Sequence, residues 1–104
     1  MNKMNDNPDH FEVLRKIKSK PNSSQRELAS NLGFSLGKLN YCLNALRNKG
    51  LIKIKNFRKN PNKLGYVYML TPKGVAEKTK LTVNFMKRKS KEYEELRAEM
   101  DREN

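Results

Sequence analysis

Apolar residues recur along this chain at two periods, and the period changes mark its elements. Phe11, Leu14 and Ile17 lie three apart, as on one face of a helix. Pro8 fits a first turn, where its missing N–H costs nothing, with Asp6 or Asn7 as the cap. Pro21 disfavours helix just ahead of it, so this helix is expected to end near Ser19. Ser24 to Glu27 reads S-x-x-E, a capping box ahead of Leu28, Ala29 and Leu32, with Gly33 placed to stop the helix in a left-handed conformation. Ser35 caps a third helix whose leucines, Leu36, Leu39, Leu43 and Leu46, step by three and four and are expected to point inward with Cys42 on their flank. Gly50 ends it. Two helices separated only by "GFS" form a helix-turn-helix.

The period then shortens to two. "LIKIK" alternates apolar and basic residues as a half-buried strand does, and "YVYML" is rich in strand formers. The intervening "NFRKNPNKLG" supplies Asn, Pro and Gly for a turn. A hairpin directly after a helix-turn-helix is a wing. Thr71 and Pro72 then open a long helix, expected to run to about residue 101, roughly 45 Å at 1.5 Å per residue. The predicted fold is mainly α with a small β-hairpin. Residues 1–7 are expected to be disordered, 8–71 to form a winged helix-turn-helix domain, and 72–104 a long C-terminal helix.

That last helix carries a heptad seam: Val75, Thr79, Thr82, Met86, Lys89, Tyr93, Leu96 and Met100 step by four and three, with Leu81 and Phe85 widening its first half. It either packs on the first helix and protrudes, or buries its stripe in a second subunit. A monomer would expose Tyr93, Leu96 and Met100. The favoured reading is a homodimer held through Val75, Thr79, Thr82, Phe85, Met86, Tyr93, Leu96 and Met100.

Charge narrows the function. The net charge is +12 over 104 residues, which favours a polyanionic partner. The excess is localised: residues 1–65 hold 14 basic and 4 acidic side chains, and no Asp or Glu occurs from Leu28 to Ala76. This acid-free run contains the third helix and the hairpin. At 100° per residue, Gly37, Tyr41, Asn44 and Asn48 face away from the leucines, flanked by Lys38, Asn40 and Arg47. Such a face suits a major groove. Asn40 and Asn44 match adenine, Lys38 a guanine or a phosphate, and Tyr41 a sugar or a thymine methyl. Ser35, at its head, belongs to the same candidate surface. Arg58 and Lys59 at the wing tip suit a minor groove, and Lys53, Lys55 and Lys63 suit phosphates. Ser24 and Gln25 begin a helix whose free N–H groups suit a phosphate. A merely solvated polar face, or basic residues that only protect a hairpin edge, would not require the absence of every acid.

Other chemistries lack their parts. His10 is the only histidine and Cys42 the only cysteine, so one chain cannot build a His/Cys zinc cluster, and no catalytic pair involving His10 is expected. His10 is expected at the surface and Cys42 in the core. No phosphate-binding or nucleophile-elbow motif occurs. No catalytic residue, metal or cofactor is expected, and the chain reads as a non-enzyme. The N-terminus lacks the apolar run of a signal peptide, and no stretch is long enough to span a bilayer, so a cytoplasmic, nucleoid-associated protein without membrane partners is expected.

The runs "SQRELASNLGFSLGKLNYCLNALRNKGLIK", "NFRKNPNKLGYVY" and "LTPKG" resemble winged-helix transcription factors of the MarR type, from about Glu12 to Met100. "SLGKLNYCLNAL" followed by "NFRKNPNK" is similar to the small MarR-like regulators called EPS-associated. The resemblance implies bacterial transcriptional control, with Ser35 to Asn44 as recognition helix and Arg58 in the minor groove. Typical members are longer, with helices from both termini building the dimer and a ligand pocket beside it. The short N-terminal part here puts a small-molecule effector in question. The resulting reading is a homodimeric, sequence-specific double-stranded DNA-binding regulator, by default a repressor, on a pseudo-palindromic operator. The alternatives are an adaptor that recruits a transcription partner through the long helix while binding nucleic acid only non-specifically, and a binder of structured RNA.

Overall fold

The computed structural model describes residues 7–55 and 65–103. Its elements run α1 (Pro8–Ser19), α2 (Gln25–Leu32), α3 (Leu36–Asn48), β1 (Ile52–Ile54), β2 (Tyr68–Leu70) and α4 (Pro72–Glu103). Of residues 1–7, expected to be disordered, 1–6 lie outside the described residues and Asn7 is placed as the cap of α1.

Each helix start is built from the cap its sequence supplies. The Asn7 carboxamide oxygen accepts from the Asp9 and His10 amides at 2.9 and 3.2 Å. At α2 the capping box is complete: the Ser24 amide donates to Glu27 Oε1 at 2.8 Å, and the Glu27 amide donates to Ser24 Oγ at 3.2 Å. The Ser35 hydroxyl accepts from the Lys38 amide at 3.0 Å. Gly33 closes α2 at φ 71°, a left-handed conformation that a Cβ would strain.

The core lies where α1, α2 and α3 meet. Val13, Leu14, Leu28, Leu39, Leu43 and Leu46 are almost wholly buried, and Cys42 packs with them. Leu36 departs from the expected stripe. It is 37% exposed, because it opens α3 at the rim of the core. His10 also departs, being half-buried rather than at the surface, with a buried Nε2 that has no hydrogen-bond partner among the described residues.

The strands are shorter than the runs that signal them. β1 and β2 pair antiparallel with Ile52 opposite Leu70 and Ile54 opposite Tyr68. Ser24 bridges Val67, so the start of α2 is tied to the approach to β2. One junction fastens the sheet to α4. The Thr71 amide donates to the Leu51 carbonyl at 3.0 Å, the Thr71 hydroxyl donates to the Gly50 carbonyl at 2.6 Å, and the Gly74 amide donates to Thr71 Oγ1 at 3.0 Å. Gly74 is buried there, and a Cβ on it would meet the Leu51 carbonyl.

α4 then leaves the body. Gly74 and Leu81 are its buried residues, and the Phe85 ring lies tilted against Phe11 of α1, with ring centres 5.7 Å apart. Every residue from Met86 to Glu103 is exposed. The molecule is accordingly elongated, 61 × 26 × 22 Å, with a radius of gyration of 16.8 Å against about 13 Å for a compact chain of this length.

Candidate nucleic-acid interface

The buried leucines of α3 fix which of its side chains reach solvent. Leu39, Cys42, Leu43 and Leu46 face inward. Gly37, Lys38, Tyr41, Asn44, Arg47 and Asn48 are exposed, with Tyr41 at 72%. Gly37 has open space among the described residues where a Cβ would stand. Arg47 and Lys53 line a groove with Ile52 and Ile54, which continues the cationic surface of α3 onto β1. Lys55 is exposed beside it and donates to Asn22 Oδ1 at 3.2 Å.

Lys38 is less free than its place on the helix suggests. Its Nζ lies 3.4 Å from Asp9 Oδ2 and 4.2 Å from the centre of the Phe34 ring. An exposed pair of this kind contributes little to stability. Its consequence is local: Asp9 of α1 brings a carboxylate to the edge of a face whose own segment has none.

Two candidate residues depart from the expected surface. Gln25 is 2% exposed and its Oε1 is buried without a partner; the side chain packs inward from the first residue of α2 and presents nothing to a ligand. Asn40 is half-buried, and its Oδ1 is likewise buried without a partner, because position 40 flanks Leu39 and Leu43 instead of lying opposite them. The start of α2 is also more occupied than expected. The Ser24 amide is taken by Glu27, whose carboxylate stands where a phosphate was expected. Arg58, Lys59 and Lys63 lie outside the described residues.

The titrating groups nearest this face sit behind it. Burial raises the Cys42 thiol, with Asp9 adding to the rise and Lys38 opposing it, so Cys42 is a packing residue rather than a nucleophile. Burial and then Lys49 lower His10, with Asp9 opposing. Among the described residues, no group of three His, Cys, Asp or Glu side chains is placed to hold a metal, and no helix is long and apolar enough to cross a membrane.

A family model described as winged helix-turn-helix DNA-binding matches residues 10–53, from α1 through β1. Among solved structures, the CouR transcriptional repressor bound to a 23-mer DNA duplex superposes with a TM-score of 0.74 at 27% identity, over 92% of this chain and 66% of CouR. Wild-type apo MarR from E. coli matches at 31% identity with a TM-score of 0.60, over 70% of this chain and 53% of that one. The chain is a winged helix-turn-helix protein of the MarR type. Staphylococcus aureus MarR, in complex with salicylate and kanamycin, matches this MarR-type fold with a TM-score of 0.73 at 20% identity, over 84% of this chain. The chain spans 57% of the length of that protein. No curated protein sequence matches it. The family model stops short of α4, so the long helix is a feature of this MarR-type chain that the matched segment leaves untouched.

Proposed function

We propose that this MarR-type chain is a cytoplasmic, sequence-specific regulator of transcription that binds double-stranded DNA as a homodimer, and by default represses. The observation that carries the reading is the exposed face of α3. Gly37, Tyr41, Asn44 and Arg47 stand clear of the body, within a segment free of acid from Leu28 to Ala76. The DNA duplex bound to CouR, at 27% identity, supports duplex DNA as the ligand class.

In this reading α3 enters the major groove with its N-terminal half nearest the bases. Asn44 and Tyr41 read base edges, and Asn40 joins them only on turning its amide outward. Arg47, Lys53 and Lys55 hold phosphates, and the wing cations Arg58, Lys59 and Lys63 extend the contact. Phosphate contacts supply much of the affinity and make it steeply salt-dependent. The exposed stripe of α4 joins two subunits, so the operator is an inverted repeat with half-sites about 10 bp apart or a multiple of that. The runs "SLGKLNYCLNAL" and "NFRKNPNK" carry the narrower placement among EPS-associated regulators, which belongs to this proposal.

The test is selection from random duplex DNA at about 150 mM salt, near physiological ionic strength. Recovery of an inverted repeat is the expected result. Recovery of no motif, with binding that vanishes at that salt, would reduce the cations to a non-specific role and end the reading.

A further inference from the structure

We propose that two copies of α4 pair antiparallel, each acidic C-terminal half lying along the basic N-terminal half of the other. This rests on the homodimer proposed above and assigns its geometry. Three observations converge on it.

The first is charge. From Lys73 to Lys91, α4 holds seven cations and one acid; from Glu92 to Glu103 it holds six acids and two cations. A parallel pair would set like against like along its whole length. It would also set Lys89, which occupies the seam, directly against its own copy. An antiparallel pair lays the acidic stretch Glu92–Arg102 along the basic stretch Lys73–Val83 of the other copy, and leaves like against like only in the central stretch Asn84–Lys91, where Lys87, Arg88, Lys89 and Lys91 lie.

The second is the seam itself. Its steps of four and three read the same from either end, so an antiparallel register can match every position. Val75 then lies opposite the partner's Met100, Thr79 opposite the partner's Leu96, Thr82 opposite the partner's Tyr93, and Met86 opposite the partner's Lys89. Met86, Tyr93, Leu96 and Met100 are each about 60% exposed, so the pairing covers what the single chain leaves open. Lys78 flanks the seam where the partner's Glu99 arrives.

The third is a groove where that register ends. Ile17, Pro21, Met69, Leu70 and Val75, with Lys18 at one side, line a largely apolar recess between α1, β2 and the first turns of α4. Val75 belongs both to this recess and to the seam. The partner's Met100, set over Val75, has a place to bury its side chain. A flexible thioether suits an irregular recess.

Disulfide trapping tests the register. Val75 and Met100 are both exposed enough to be replaced without opening the core, and wild type, with its buried Cys42, is the control. Val75→Cys and Met100→Cys chains, distinguishable by mass, are mixed and oxidised. The expected product is a covalent heterodimer of the two variants, with no cross-linked dimer from Met100→Cys alone. A cross-linked Met100→Cys homodimer would establish parallel helices and overturn the proposal. A dimer by sedimentation that yields no mixed cross-link would overturn the register. Charge exchange provides the second measurement. Lys78→Glu and Glu99→Lys should each weaken the dimer about three- to tenfold at low salt, and the double exchange should restore it; no restoration counts against the pairing. A chain that is monomeric at high concentration would overturn the proposal together with the homodimer. The DNA selection is read separately, so the interface and the DNA reading fail independently.

Discussion

Lys38 and Asp9 show how one side chain serves two partners. The 3.4 Å contact holds Lys38 at the edge of the α3 face and offsets part of its charge. Lys38→Ala should weaken duplex binding and reduce the salt slope by about 1, as loss of one phosphate contact does. Asp9→Asn should do the reverse, tightening binding modestly at low salt by removing a carboxylate from the approach of the phosphates. Titrating both variants on one duplex at several salt concentrations checks the pair; unchanged affinity and slope for Lys38→Ala would remove it from the interface. His10 offers a test in pH. Burial and Lys49 hold its pKa below the ordinary 6.5, so the unfolded chain binds the proton more readily than the folded one. The stability this group contributes is therefore complete above about pH 6.5 and is lost as pH falls from there toward the lowered folded value. Urea melts from pH 7.5 to pH 5 should show a steeper loss for wild type than for His10→Gln, which cannot charge. That shift was not readable from position 10 in the sequence, since α1 supplies only the turn and the covering residues come from elsewhere.

At the scale of elements, what was legible is what is local. Asn7, Ser24 and Ser35 cap the helices that follow them, and Gly33 ends α2, because each bond spans at most a few residues. The leucine stripe of α3 was legible for the same reason, and Leu36 strayed only because it sits at the rim. The rest depends on neighbours distant in sequence. Gln25 turns inward because the core lies behind α2, and Phe85, expected to widen the seam and help hold a second subunit, lies against Phe11 of its own chain. "LTPKG" is the clearest case: the helix start at Thr71 and Pro72 was legible, while the need for Gly74 rests on a contact distant in sequence. Thr71 caps α4 and ties back to Gly50, while Gly74 lets the helix approach Leu51 closely. Gly74→Ala should force that contact apart and cost about 1–3 kcal/mol, lowering Tm by roughly 5–15 °C. Ala ordinarily favours a helix interior over Gly, so a rise in Tm would mean that the junction yields freely.

The whole molecule divides where α4 leaves the body, and the division separates two properties that usually fail together. Up to Phe85 the helix is fastened to α1, to β2 and to the core; beyond it no residue is buried. A chain ended after Ser90 should therefore keep the fold of its body, with a near-wild-type helix-turn-helix and the whole acid-free face intact. It loses Tyr93, Leu96 and Met100, and with them most of the exposed stripe. If that stripe joins two subunits, wild-type melting depends on protein concentration, as mass action requires, and the shortened chain melts independently of concentration. DNA binding then separates the scales further. Two linked recognition helices gain from effective concentration by about 10²–10⁴ over one, so the shortened chain should lose about that factor on an inverted repeat and little on a single half-site. Equal losses on both duplexes would mean that the removed segment supports the body itself. Unchanged affinity on the inverted repeat would mean that α3 reads DNA one copy at a time and that α4 serves another partner. Calorimetry at two protein concentrations and a titration on the two duplexes distinguish these outcomes with a single variant.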